Sequence, residues 1–207
     1  MNKLKILLKI LQYKYCRFFS LCPPFPLNLT ISLDYKCNSR CLTCNIWKKE
    51  VIPFSLEEYK ALFANMGKVL WVTFSGGEPF LRKDLVEICT SFYLECRPSF
   101  INIPTNGILY KRIPFMIEEI AGNCSEAEII VNLSLDQWGE EHDRIRQVPG
   151  NFEKAIKTYE ALRKLSIPNL TMGIHTVISR YNVKDFHEIY HKLTDLKPDS
   201  YIAEIAE

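Results

Sequence analysis

From residue 27 onward the chain alternates short segments rich in strand-forming residues with longer ones whose apolar residues recur at helical spacing. Residues 27–33 read as a first strand. Ser55-Leu56-Glu57-Glu58 opens a helix with a capping residue, and the pattern runs to Met66 before Gly67 stops it. Strands are then expected over 69–74, 100–103, 127–135, 170–178 and 200–205, with helices over 81–94, 112–121, 152–165 and 183–196. Six strands separated by helices imply parallel βα units, because a parallel neighbour needs a crossover. Right-handed crossovers build either an open sheet or a barrel, and periodicity does not separate the two.

The 207 residues are 47% hydrophobic, enough for one domain with a sizeable core, which excludes a disordered chain. With 26 basic and 24 acidic residues, nothing global points to a nucleic-acid partner. No internal repeat, low-complexity tract or linker interrupts residues 27–207, which form the expected core domain. Residues 1–26 read as a separate basic amphipathic helix and a Pro-rich turn, Cys22-Pro23-Pro24-Phe25-Pro26. In that helix Leu4, Leu7, Leu8, Leu11 and Tyr15 share a face, interspersed with Lys3, Lys5, Lys9, Lys14 and Arg17. It is too short and too charged to span a bilayer. Such a helix can lie on an anionic membrane, but the favoured reading packs its apolar face on the domain that follows. Without a signal peptide's apolar core and cleavage site, the chain is expected in the reducing cytoplasm, despite eight cysteines. Cys16, Cys22, Cys89, Cys96 and Cys124 lack metal spacing and read as small buried hydrophobes.

Every unusual polar or glycine-rich run follows a strand, the side on which parallel α/β folds place their sites. After the first strand come Cys37, Cys41 and Cys44, spaced Cys-x3-Cys-x2-Cys with no fourth thiol nearby. A structural zinc takes four ligands, and neither Cys22 nor Cys89 completes a second Cys-x-x-Cys pair. A four-iron cluster takes one cysteine per iron, so three thiolates would leave one iron open to a non-protein ligand. After the second strand, Ser75-Gly76-Gly77-Glu78-Pro79 removes two Cβ atoms, which lets backbone approach a ligand or simply makes a tight turn. It lacks the lysine and spacing of a phosphate-binding loop.

The cysteine triplet and the Gly-Gly-Glu-Pro run, one strand apart, resemble the radical S-adenosylmethionine (radical SAM) enzymes over essentially residues 27–207. The resemblance implies an α/β fold, a partial (β/α)6 TIM-like barrel preceded by the N-terminal helix. It implies that Cys37, Cys41 and Cys44 hold a 4Fe-4S cluster whose open iron is chelated by SAM, and that Gly76, Gly77, Glu78 and Pro79 bind the methionyl amine. Reductive cleavage would then yield methionine and a 5′-deoxyadenosyl radical that takes hydrogen from an organic substrate, small molecule or peptide. A flavodoxin- or ferredoxin-like protein would supply the electron. Pro104-Thr105-Asn106-Gly107 and Leu133-Ser134-Leu135-Asp136 resemble further family runs, as does His142-Asp143-Arg144-Ile145-Arg146. Asn106 thus joins the cofactor-binding set, Ser134 would contact the ribose or adenine region, and Arg146 the SAM carboxylate.

Plainer readings stand beside these. Asn106-Gly107 can be an ordinary turn, Arg146 can bridge to Glu140 or Glu141, and Asp136 can cap the following loop. His175 can be a core histidine, and His187 and His191, four apart on a helix, read as surface residues rather than metal ligands. Two departures from the family pattern are notable. Thr43 stands where many members carry an aromatic against adenine, so Trp47 or backbone over 203–205 is expected to supply that contact. The last strand has no helix after it, so a barrel truncated after strand six is expected, its edge covered by a partner or the N-terminal helix. The rival within the class is a peptide- or protein-modifying maturase, and outside it a non-catalytic zinc- or cluster-binding module.

Overall fold

The computed structural model describes residues 3–21 and 26–206, with side chains described from residue 7 onward. Most of the Pro-rich turn, Cys22 included, lies outside the described residues. Six strands, β1 (Asn28–Ser32), β2 (Trp71–Ser75), β3 (Phe100–Thr105), β4 (Glu128–Ser134), β5 (Leu170–Ile178) and β6 (Ser200–Ile205), form one parallel sheet in sequence order. Between them run α2 (Leu56–Ala64), α3 (Leu85–Cys96), α4 (Ile113–Asn123), the short α5 (Glu140–Arg146), α6 (Asn151–Lys164) and α7 (Phe186–Thr194). β1 and β6 are not paired, so the sheet is an unclosed barrel.

Strand periodicity assigns the two faces of this sheet opposite tasks. Val72, Phe74, Ile101, Ile103, Val131, Leu133, Met172 and Ile174 point outward into a core shared with Phe63, Phe92, Ile117 and Leu162 of the helices. Their alternates, Thr73, Asn102, Asn132, His175 and Glu204, line one concavity on the inner face. Burying a Phe or Ile on the outer face contributes roughly 1.5–3 kcal/mol each, which leaves the inner positions free to be polar. Helix starts follow local chemistry. At α2 the Glu58 amide donates to Ser55 Oγ at 3.3 Å and the Ser55 amide donates to Glu58 Oε2 at 2.8 Å, a reciprocal cap.

Three expectations are corrected. The helix expected from residue 81 begins at Leu85, because Pro79 first sets a single 3-10 turn over Pro79–Leu81. The helix expected from 183 is likewise a 3-10 turn over Val183–Asp185 before α7. The N-terminal helix, α1 (Lys3–Phe18), forms but does not pack its apolar stripe on the barrel. Its contacts run along a narrow edge, with Cys16 buried and Lys9 Nζ donating to the Lys68 carbonyl at 3.0 Å. Leu7, Leu8, Leu11, Tyr15 and Phe18 remain exposed, since the outer face of the sheet is already covered by the other helices.

Candidate functional site

Beyond β1 the chain runs without regular structure through the three cysteines, and two neighbouring segments fix its path. The first is the loop after β2. The Gly77 amide donates to the Asp34 carbonyl at 2.7 Å and the Glu78 amide to the Lys36 carbonyl at 2.9 Å. A Cβ on Gly76, whose φ is +131°, would stand 2.2 Å from the Asp34 oxygen, and one on Gly77 would stand 2.1 Å from the Lys36 oxygen. The glycines are therefore required for the cysteine loop to lie against the loop after β2, a use of their missing Cβ atoms beyond the ligand approach or tight turn expected from the sequence.

The second tie is α5, a helix the periodicity did not reveal. The amides of Arg40 and Leu42 donate to the carbonyls of Arg146 and Ile145 at 3.2 and 2.9 Å. The Arg146 side chain is buried, with Nε 2.8 Å from Asp136 Oδ2 and Nη1 3.7 Å from Cys41 Sγ. Its salt bridge is thus to Asp136, not to Glu140 or Glu141. Asp136 also accepts from the Val177 amide at 2.9 Å, so it orients Arg146 and joins β4 to β5 rather than capping a loop. Burial alone would lower the Arg146 pKa, but Asp136 and then Cys41 outweigh it, and the guanidinium stays charged. On the same helix His142 accepts from the Asp136 amide at 3.1 Å. Burial, then the Arg146 charge, pushes its pKa down to about 4, so it is a neutral acceptor.

Glu78 is buried and its carboxylate accepts from Thr105 Oγ1 at 2.8 Å, the Asn106 amide at 2.8 Å and the Phe80 amide at 3.3 Å. Burial pushes its pKa up to about 7, with the three donors pulling the other way. Asn106 in turn donates Nδ2 to Asn38 Oδ1 at 2.7 Å and lies 3.9 Å from Cys37 Sγ. The turn after β3 is thereby tied to the cysteine loop.

Cys37, Cys41 and Cys44 border one cavity of about 550 Å3 with Gly76, Gly77, Glu78, Asn106, Ser134 and Arg146, the size of a small-molecule site. Pro79 is buried just outside it and shapes the 3-10 turn. Thr43, His175, Ile202 and Glu204 also line the cavity, His175 with its Nε2 3.2 Å from Glu204 Oε2. Trp47 does not line it. Its indole N–H donates to the Cys44 carbonyl at 3.0 Å and its ring borders a separate surface cleft, so of the two expected sources of adenine contact only the β6 side reaches the cavity. His187 and His191 are exposed on α7, away from it. Sequence reasoning missed the cavity's polar inner rung. Asn132 Nδ2 donates to Asn102 Oδ1 at 2.8 Å and Asn102 Nδ2 to Thr73 Oγ1 at 3.2 Å, while Asn132 Oδ1 has no partner among the described residues. Polar residues at alternate positions of otherwise apolar strands were the available signal.

The donor set fits a polynuclear centre. A four-iron cluster takes one thiolate per iron, so its three protein thiols need to border one space rather than converge on one ion. Cys37, Cys41 and Cys44 are all free thiols bordering a common space, and donors from Ser39 and Arg146 approach Cys37 and Cys41 at 3.4 and 3.7 Å.

The profile of the radical SAM superfamily matches residues 31–193. An Fe-coproporphyrin III synthase of Methanosarcina barkeri is 31% identical over 173 residues, covering 80% of this chain and 40% of that protein. Mycofactocin maturase MftC of Mycolicibacterium smegmatis is 25% identical over 79% of this chain and 40% of its own length. The crystal structure of Streptococcus suis SuiB bound to S-adenosylmethionine superposes with a TM-score of 0.69 at 17% identity, covering 94% of this chain and 44% of that one, which speaks for the fold. The chain spans less than half the length of these relatives. The structure has an unclosed parallel barrel like that neighbour's, and the profile covers most of the chain's length: the chain belongs to the radical SAM superfamily.

Proposed function

We propose that this chain binds a 4Fe-4S cluster through Cys37, Cys41 and Cys44 and SAM in the adjoining cavity, and acts by reductive SAM cleavage. The observation that carries the reading is the convergence of the cysteine loop, the Gly76–Gly77 turn, Asn106 and Arg146 on one cavity. When bound, the pair would supply a 5′-deoxyadenosyl radical for hydrogen abstraction, with the electron coming from a flavodoxin- or ferredoxin-like donor. The residues of the chain do the rest. Gly76 and Gly77 seat the cysteine loop, and Asp136 holds Arg146 charged beside Cys41. Ser134 and Arg146 are available to SAM's ribose and carboxylate groups. Glu78 braces the turn at Asn106 through its carboxylate and leaves amine binding to the neighbouring backbone. The inner rung of Thr73, Asn102 and Asn132 offers the substrate a polar floor, with one free acceptor on Asn132.

Two relatives favour a peptide substrate as the second reading: one is named a maturase, and SuiB is also solved bound to its precursor peptide SuiA. The synthase relative supports a small molecule instead. A reducing cytoplasm suits seven described free thiols and an oxygen-sensitive cluster. Anaerobic reconstitution followed by dithionite and SAM should release 5′-deoxyadenosine. A colourless, zinc-loaded protein that leaves SAM intact would replace this reading with the non-catalytic module.

A further inference from the structure

We propose that α1 is a membrane-surface helix that docks the chain on an anionic lipid bilayer, with the cofactor cavity facing away. Three observations carry this. The first is the exposed stripe. At 100° per residue Leu7, Phe18, Leu11, Tyr15, Leu8 and Phe19 fall within about a third of the helix circumference. Each is at least half exposed, and Phe18 reaches 81%. The side that meets the barrel is a different one, marked by Lys9, Tyr13 and Cys16. The helix therefore has one apolar side spent on nothing within the described chain.

The second is charge. Residues 1–21 carry five basic residues, Lys3, Lys5, Lys9, Lys14 and Arg17, and no acidic one. The rest of the chain holds the remaining 21 basic and all 24 acidic residues, so the chain's net positive charge comes from this segment. Lys14 and Arg17 border a cleft of about 540 Å3 between α1 and Leu27, walled by Ile10, Tyr13 and Leu21. Cations beside an apolar stripe are what an anionic headgroup layer over acyl chains selects.

The third is position. α1 touches Lys68, before β2, and shares its cleft with Leu27, before β1, so it lies at the end of the strands opposite the cysteine loop. A substrate on the stripe would be a barrel's height from the cavity, whereas a bilayer there would leave the cavity open. Among the described residues no helix is long and apolar enough to cross a membrane, so the attachment is peripheral.

The test is flotation of the full chain with phosphatidylcholine vesicles, with and without about one-third phosphatidylglycerol. Binding is expected to the anionic vesicles, at least about tenfold weaker to neutral ones, and weakened by about 0.5 M salt. The double variant Leu11→Glu/Phe18→Glu should lose at least about tenfold in binding, and Lys14→Glu/Arg17→Glu should lose the preference for anionic lipid. All these side chains are exposed, and circular dichroism checks that each variant stays folded. No binding to anionic vesicles, or binding unchanged in Leu11→Glu/Phe18→Glu, would overturn the proposal. So would a dimer in sedimentation equilibrium that the same variant converts to monomer, which would assign the stripe to a second copy.

Discussion

Two sets of three cysteines in this chain behave oppositely. Cys37, Cys41 and Cys44 sit on an irregular loop and border a cavity, two of them only partly buried. Cys89, Cys96 and Cys124 sit on α3 and at the end of α4, all fully buried. Burial pushes Cys96 up to about 11, Cys124 up to about 12 and Cys89 well above the ordinary thiol value. The Cys96 thiol donates to the Phe63 carbonyl and the Cys124 thiol to the Cys89 carbonyl, bonds that a thiol can make but a thiolate cannot. Two of the loop set, Cys37 and Cys41, instead face donors. The Ser39 amide offsets part of the burial that raises Cys37, and Arg146 is aimed at Cys41. The residue type is the same in both sets; access and the polarity of the partner separate the proposed cluster ligands from core hydrophobes.

The most severe way to break this comparison is to exchange alanine between the sets. Cys41→Ala should reduce reconstituted iron and SAM cleavage to background while the circular dichroism spectrum is retained. Iron retained in full by Cys41→Ala would erase the distinction. Asp136→Asn tests the electrostatic half. It leaves a buried guanidinium without its counter-charge, and urea denaturation should show a loss of about 3–5 kcal/mol.

The pH dependence sharpens the role of α5. His142 has a folded pKa of about 4 against about 6.5 unfolded, so the unfolded state holds the proton more tightly. Its neutral form stabilises the fold above pH 6.5, and that benefit is lost as the pH falls toward 4, by about 3 kcal/mol at most. Glu78, raised to about 7, acts in the opposite sense over about pH 4.5–7, because its folded state binds the proton more tightly. The wild-type profile should therefore be nearly flat, and His142→Gln should become relatively more stable as the pH drops. A wild-type profile that falls steeply with no change in the variant would contradict the assignment of His142.

A smaller effect is expected at the glycine contact. Gly77→Ala should cost roughly 1–3 kcal/mol as the cysteine loop shifts away from the new Cβ, with lowered iron content as the companion readout. Smallest is Cys89→Ala, a loss of about 1–2 kcal/mol with iron unchanged.

Much of this was legible before any coordinates. β5 and β6 fall at the expected residues, because each is a run of strand formers bounded by turn residues. The three cysteines and Gly76–Gly77 were visible as motifs, since spacing along a short loop survives in the sequence. What was hidden depends on distance in the fold. α5 is seven mostly charged residues with no apolar period, so it could not be seen, nor could the Arg146–Asp136 pair it creates. The fate of the apolar stripe on α1 was misjudged for a related reason. Periodicity shows that a helix has two faces, but not whether the rest of the chain has apolar surface left to receive one.

The central claim is that the three loop thiols hold a four-iron cluster with one iron open to SAM. Electron paramagnetic resonance of the anaerobically reconstituted, dithionite-reduced chain tests it directly. A reduced-cluster signal with about four irons per chain that shifts on adding SAM is the predicted result. A cluster signal indifferent to SAM, or a silent protein loaded with zinc, would contradict it.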